Sequence, residues 1–411
     1  MTYRPTIEQA ITAVRAGRPI LLTDSPTREN EADCVIAAEF ATPENVNTVI
    51  TLARGVPCVA LSSQQADAFG LPVFATQFTN RFSPAFTLSV DLREGNTTGI
   101  SAQDRSRTIQ ALANPQRTLN EFVIPGHVFP IRASSDGVFV RQGHTEASVD
   151  LMKIAGLVPA AMICEVLGPD GSALRGESLR AFATQQGWPL LSIEEIVDYR
   201  LRTEMIVKVE ASAYLPTAFG DFEALVYSMP GQERPVVALV KRGERVHWNH
   251  RVLVRLNSEC FTGDVLGSLR CDCGAQLMAA LERITQEGEG VLLYLPQEGR
   301  GIGLSEKIRA YALQERGLDT VDANLHLGHP IDGRTYGFAA QVLKELGIRS
   351  VTMLTNNPSK IEGIERYGIK VVDRQAIEIT PSTYNQRYLN TKRERLGHRL
   401  HTVLETVEAH R

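Results

Sequence analysis

Several things are missing from this 411-residue chain, and each absence narrows what it can be. No apolar run approaches the ~20 residues of a membrane-spanning helix, so no membrane role is expected. The first ten residues, MTYRPTIEQA, lack the basic-then-apolar pattern of a secretory signal, and a cytoplasmic location is the expectation. There is no basic excess: 43 Lys and Arg stand against 47 Asp and Glu, a formal net charge of −4. Nucleic-acid scaffolds ordinarily carry a basic face, so no nucleic-acid partner is expected. A phosphorylated small molecule stays open, because it needs only a local basic pocket. No repeat period, low-complexity tract or Pro/Gly/Ser linker is present. The six cysteines include no Cys-x-x-Cys pair, the usual knuckle of a closed structural zinc site.

What is present reads as two globular cores. The hydrophobic and charged fractions, 43% and 22%, are ordinary, and the length exceeds one typical core. Helical and strand periodicities alternate. In TPENVNTVITLARG, Thr42 suits an N-cap and Pro43 the first helical position; Val46, Val49, Ile50 and Ala53 form the apolar stripe, with Gly55 as the stop. PILLT, CVIAAEF, AAMICEVL, GVLLYLP and SVTMLTNN read as strands. AQLMAALERITQEG places Leu277, Leu281 and Ile284 on one helical face, and GFAAQVLKELG is a helix ending at Gly347. A helix in LLSIEEIVDYRLRTE closes one unit and MIVKVEASAYLPT opens the next, so the expected domains are 1–204 and 205–411.

Two stretches of the first half carry chemistry. TRENEAD gathers Arg28, Glu29, Glu31 and Asp33 after a buried strand, and RQGHTEASVDL puts an imidazole, a hydroxyl and carboxylates at a helix start. Carboxylates beside an arginine suit a divalent ion and a sugar phosphate; a solvated turn and an N-capped helix fit either stretch taken alone. In order, TRENEADCVIAAEF, TTGISAQDRSRTI, PGHVFP and RQGHTEASVDLMKIAGLVPAAMICEV resemble 3,4-dihydroxy-2-butanone 4-phosphate synthase over residues 5–200. The resemblance implies conversion of ribulose 5-phosphate to a four-carbon phosphate plus formate. By motif match, Glu29 and His144 would hold Mg²⁺ or Mn²⁺. Arg28, Glu29, Asp33, Arg141, Gln142, Gly143, His144, Thr145 and Glu165 would bind substrate, and His127 and Glu165 would be acid/base groups. This chain departs from the family pattern at Pro26, Ala32, Pro84 and Ile124, and Ala32 matters if its position needs positive φ.

In the second half, SECFTGDVLGSLRCDCG places Cys260, Cys271 and Cys273 within fourteen positions. Three soft thiolates with a fourth position open describe a catalytic zinc; three unrelated thiols are the bland alternative. Cys34, Cys58 and Cys164 lie scattered in apolar settings and read as buried thiols. PQEGRGIGL is a Gly-rich turn that can turn backbone N–H groups toward phosphate. With RLNSECFTGD, SLRCDCGAQL, QEGRGIGLSEKIRAYALQ, GLDTVDAN, DGRTYG and TNNPSKIEGI, the array resembles GTP cyclohydrolase II over about residues 206–400. That resemblance implies zinc-assisted opening of the guanine imidazole ring, with release of formate and pyrophosphate. Cys260, Cys271 and Cys273 would bind Zn²⁺. Arg255, Leu256, Asn257, Ser258, Glu259, Gln276, Glu298, Gly299, Arg300, Thr320, Thr355 and Lys360 would bind GTP, with Mg²⁺ on its triphosphate. Asp332 matches a proton acceptor, Arg334 a nucleophile toward the α-phosphate, and Tyr311 a residue near the guanine ring. A guanidinium has no free lone pair, so transition-state stabilisation is the better physical role for Arg334. Asn257, Pro296, Thr335 and His329 depart from the family pattern.

The expected whole is α+β, two consecutive mixed domains, a homodimeric bifunctional enzyme of riboflavin biosynthesis. The alternatives are a paralogue with one half impaired or repurposed, and a GTP sensor without turnover.

Overall fold

The computed structural model describes residues 6–73, 83–243, 248 and 250–401. The chain divides into two compact units, Met1–Arg200 and Leu201–Arg411. The RFSPAFT stretch lies partly outside the described residues.

In the first unit, β1 (Ile20–Thr23), β2 (Ala32–Ala37), β3 (Cys58–Leu61), β4 (Ala85–Phe86), β5 (Val90–Leu92), β6 (Phe122–Arg132), β7 (Ala160–Glu165) and β8 (Leu190–Ser192) form one mixed sheet. The order is β4-β6-β3-β7-β2-β1-β8, with β5 beside β6. One face packs Val46, Val49, Ile109, Leu112 and Leu179 from its helices. The opposite face packs Ile7, Val14, Leu151, Met152 and Ile196. Helices therefore cover both sides, which is why the strands read as continuous apolar runs and do not alternate. The helix Pro43–Leu52 begins as its sequence demands: Thr42 Oγ1 accepts from the Asn45 N–H, a cap typically contributing ~1 kcal/mol.

Gly55 does not terminate that helix in the expected way. Arg54 takes the left-handed conformation instead, at φ 72°. Gly55 serves close approach: a Cβ there would lie 2.5 Å from the Glu165 carboxylate. Ala32 resolves simply, since it lies in β2 and the positive φ of this turn (56°) falls on Asn30, a residue type that tolerates it.

The second unit holds β9 (Lys208–Thr217), β10 (Gly220–Ser228), β11 (Val236–Lys241), β12 (Val252–Ser258), β13 (Gly290–Leu295), β14 (Ser350–Leu354) and β15 (Lys370–Gln375). They run in the order β15-β14-β12-β13-β11-β10-β9. β15, β14, β12 and β13 are mutually parallel, and β11, β10 and β9 continue antiparallel. The helix Cys273–Glu287 lays Leu277, Leu281 and Ile284 against the sheet as its spacing predicts, and ends on Gly288 at φ 82°. The parallel half decides where a ligand can sit, because open parallel sheets bind at the carboxyl ends of their strands.

Candidate active sites

Those ends supply the walls of a cleft. The residues after β12 (Glu259, Cys260), after β13 (Gln297–Arg300) and after β14 (Thr355–Asn357) all line it. Seven lysines and arginines line the cleft against two glutamates, a field suited to a polyphosphate.

Cys260, Cys271 and Cys273 meet there. Their sulfurs all lie within 4.8 Å of one another, and no other comparable ligand cluster occurs among the described residues. Two glycines make the meeting possible. A Cβ at Gly263 would fall 2.9 Å from Cys271 Sγ, and one at Gly274 only 2.2 Å from the Gly263 carbonyl. The donor set is soft, converging and part-buried, so it fits Zn²⁺. Hydrogen bonds from Cys271 and Cys273 hold the Cys260 thiol far below its usual range, helped by Lys307. Lys307 Nζ stands 3.0 Å from Cys260 Sγ and 2.8 Å from Glu298 Oε1. The other Glu298 oxygen accepts from the Phe261 N–H at 2.6 Å, tying the turn after Cys260 to the Gly-rich loop. In that loop Gly299, Arg300 and Gly301 all have positive φ, 61°, 64° and 92°. Arg300 carries a side chain in a conformation that favours glycine, strain of the kind found at ligand sites.

Arg255 and Asn257 form the floor, buried within β12. Arg255 donates to Gln276 Oε1 at 2.8 Å and to the Leu354 carbonyl at 3.1 Å. The Leu256 side chain is fully buried on the other side of the strand; only its carbonyl faces the site, accepting from Lys360 Nζ at 2.7 Å. Burial, then Arg255, Arg334 and Lys392, push Lys360 well below the usual lysine range. Asn257, where the family pattern has histidine, sits 3.5 Å from both Arg255 and Asp264. Tyr311 lies one turn beyond Lys307 on the helix Gly303–Glu315, under the Arg270 guanidinium at 4.9 Å. Thr320 lines the cleft from the start of the helix Thr320–His326.

Asp332 and Arg334 form a fork-to-fork pair, with Nε–Oδ1 at 2.8 Å and Nη2–Oδ2 at 2.5 Å. Burial pushes Asp332 up, but its bonds to Arg334 prevail and hold it below the ordinary value. Arg334 is correspondingly raised, its bond to Asp332 outweighing burial, so it stays cationic.

The first unit gathers a different set. Asp33 on β2 is directly opposite Glu165 on β7. Burial pushes the Asp33 carboxyl up to about 6, opposed by His144 and reinforced by Glu165, Glu31 and Glu29. Glu165 Oε2 accepts from the Val56 N–H at 2.8 Å. His144 opens the helix His144–Ala155 with a buried Nε2 that has no partner. Asp24 organises the preceding turn, accepting from the Glu29 and Glu31 N–H groups and from Arg28, each at 2.9 Å. Glu29 Oε2 is 2.6 Å from Arg28. The orphaned imidazole nitrogen, close enough to Asp33 to act on its carboxyl, fits a divalent ion that keeps much of its water, as Mg²⁺ does. In the segment 141–145, Arg141 pairs with Glu146 at 2.6 Å across Gly143, and Thr145 is buried while Gln142 is exposed.

Sequence reasoning missed several groups. Asp91 on β5 binds His127 twice, at 2.9 Å to its N–H and 2.7 Å to Nδ1. Lys307, Asp272, Tyr388, Lys392 and His398 were also missed. A lysine one helical turn before Tyr311 was the available signal for Lys307; nothing in the spacing flagged the others. Cys34, Cys58 and Cys164 are buried free thiols as expected. Cys34 and Cys164 are nonetheless not scattered, facing each other across β2 and β7.

A thiol-lined, positively charged cleft in one unit, and carboxylates with an unpartnered imidazole nitrogen in the other, are the marks of a two-site, metal-assisted enzyme. The 3,4-dihydroxy-2-butanone 4-phosphate synthase family matches residues 8–199, and the GTP cyclohydrolase II family matches residues 208–376. The riboflavin biosynthesis protein RibBA of Salinispora tropica is 47% identical over 97% of this chain and 100% of its own length. That of Salinispora arenicola is 48% identical over 100% and 97%. A solved structure, the two-domain 3,4-dihydroxy-2-butanone 4-phosphate synthase RibBX from A. baumannii, superposes with a TM-score of 0.69 at 30% identity, covering 90% of this chain and all of its own. The chain belongs to the RibBA family of bifunctional riboflavin biosynthesis proteins, a lyase and a hydrolase in one polypeptide. Among the described residues no helix is long and apolar enough to cross a membrane.

Proposed function

We propose that each unit works through the residues gathered above, on ribulose 5-phosphate in the first and on GTP in the second, with separate metals. The observation that carries the second assignment is the cysteine triad standing inside a cleft of surplus positive charge. Zn²⁺ held by Cys260, Cys271 and Cys273 would lower the pKa of a water for attack at guanine C8. The chain's own groups do the rest. Lys360, Arg300 and Arg334 face the triphosphate, and Arg255 with Gln276 forms the polar floor under the base. Arg334, locked to Asp332, stabilises charge at the α-phosphate by electrostatics and does not attack it. Tyr311, its pKa raised chiefly by burial, remains a neutral hydroxyl beside the zinc loop.

In the first unit, Glu29 and His144 Nε2 would hold Mg²⁺ or Mn²⁺, which polarises the pentulose carbonyl when bound. Deprotonation next to that carbonyl needs bases near neutrality. Asp33 at about 6 is one, held there by burial. His127 Nε2 is a second proton acceptor by geometry, its tautomer set by the bond between Nδ1 and Asp91. Arg28 and Arg141 suit the phosphate. The product sets of the two halves meet only at a later enzyme, so the two sites need no channel. The chain would act in the cytoplasm as a homodimer.

Paired formate assays on one preparation test this reading. GTP and ribulose 5-phosphate with Mg²⁺ should each yield formate. Formate from one alone would favour the impaired-half alternative, and tight GTP binding with no product would favour a sensor.

A further inference from the structure

The helix Gln386–Leu396 lies beyond residue 376, where the cyclohydrolase match ends. Yet Tyr388, Lys392 and, just after the helix, His398 line the nucleotide cleft. Lys392 is buried, and a lysine is almost never buried without a partner. Its partner is Asp272, whose Oδ1 accepts from Nζ at 2.6 Å. The Tyr388 ring lies under the same ammonium at 4.5 Å.

Asp272 is the residue between the thiols of Cys271 and Cys273, and its second oxygen accepts from Gln276 Nε2 at 2.6 Å. Gln276 Oε1 in turn accepts from Arg255 at 2.8 Å. Four side chains thus run in series from the terminal helix to the floor of the cleft. The series has one direction. Asp272 can only accept, so it turns the Gln276 amide to present its oxygen to Arg255; the flipped amide would set donor against donor. A buried ion pair stabilises little compared with apolar packing of the same volume, so its effect here is geometric.

We propose that Lys392 is a positioning residue of the GTP site: by holding Asp272 it fixes the Gln276 amide and the Arg255 guanidinium, which makes the terminal helix part of that site. The proposal rests on the cyclohydrolase reading of the second unit.

The test uses the full-length, zinc-loaded chain. Lys392→Met should raise both KM for GTP and the calorimetric Kd for GTP by about ten-fold or more, the usual scale for a supporting residue. kcat should change much less than KM, and zinc content and formate from ribulose 5-phosphate should not change. Lys392→Arg should recover most of the affinity. Asp272→Asn should weaken GTP in the same direction. Members of one series should not add, so the double variant Lys392→Met/Asp272→Asn should be no worse than the worse single one. A helix that only stabilised the fold would lower kcat, through the active fraction, and leave KM unmoved. That result, unchanged GTP affinity in both single variants, or additive effects would overturn the proposal. Should Lys392→Met lose its zinc and fail to fold, the double variant, in which neither member of the Lys392–Asp272 pair is left charged, decides the matter by its Kd. Wild-type protein that binds GTP but releases no formate sinks the turnover reading alone, because the affinity comparison needs no turnover.

Discussion

In the second unit three sulfurs converge within 4.8 Å on turns that Gly263 and Gly274 keep bare. In the first, Glu29 and His144 belong to no group of three close-set ligands among the described residues. The two sites also differ in enclosure: the cleft is walled by three strand-end loops, whereas His127 stands with Asp91 on β6 and β5 and no described contact ties it to the Asp33–Glu165 pair. The contrast is the one expected of the ions proposed for the two sites. A soft ion with four ligands can be held by the chain almost alone, and its site is then complete in the fold. A hard ion that keeps water and takes oxygen from substrate needs few protein ligands, so its site is sparse until substrate arrives.

The largest expected effect separates the two sites. Cys271→Ser should cut formate release from GTP by well over about 100-fold, more than a supporting residue would. Zinc content should fall with it, and the ribulose 5-phosphate reaction should be untouched. Glu29→Ala should give the mirror image. If either variant depressed both activities equally, the independence of the sites would be wrong.

Next in size is the Asp332–Arg334 fork. Arg334→Lys keeps the charge and loses the two-point geometry, and should lower kcat/KM for GTP by about 10- to 100-fold. Complete loss, together with a trapped phosphoryl adduct on the wild-type arginine, would restore the nucleophile role. A steady-state comparison with mass spectrometry of the wild type under turnover settles it.

The smallest effect concerns acid. Burial, with Lys392, Lys360, Arg334 and Arg300 around it, pushes His398 down to about 3 from 6.5. A lowered folded value means that the unfolded chain takes up the proton first. The stability tied to neutral His398 is therefore complete above pH 6.5 and drains away as pH falls toward 3. By about pH 5 the loss should be about 2 kcal/mol, and His398→Gln should escape it. Asp33 in the first unit has the opposite sign: raised from 3.8 to about 6, it favours the fold below its ordinary value and loses that contribution as pH rises through 6. Urea melts of wild type and His398→Gln at two pH values, read with a probe in each unit, should show the second unit as the more acid-sensitive. Parallel curves for the two proteins would refute the burial of a neutral imidazole.

Legibility followed locality. Strands β1, β2, β7, β13 and β14 were visible because both sheet faces are covered and their sequences are unbroken apolar runs. The cysteine triad was visible because its members lie within fourteen positions, and most expected GTP residues do line one cleft. What stayed hidden was made by pairing across distance. The partner of His127 lies thirty-six residues earlier, and that of Asp272 one hundred and twenty later. The terminal helix was hidden for a second reason: its polar, charge-rich sequence resembles any solvated helix until Lys392 is seen to be buried. Gly55 shows the same limit in miniature, since a glycine after a helix suggests a stop, and only the fold reveals Glu165 against it.

On the proposed reading Arg255 would do two jobs, in the sheet and at the nucleotide. It sits in mid-strand, wholly enclosed, with its guanidinium bonded to the carbonyl of the neighbouring strand as well as to Gln276. Shortening it would loosen the sheet and blunt recognition together, so an inert Arg255 variant would say little about GTP. Thr320, which lines the cleft from a helix start and not from the sheet, is a position where selectivity can drift without endangering the scaffold.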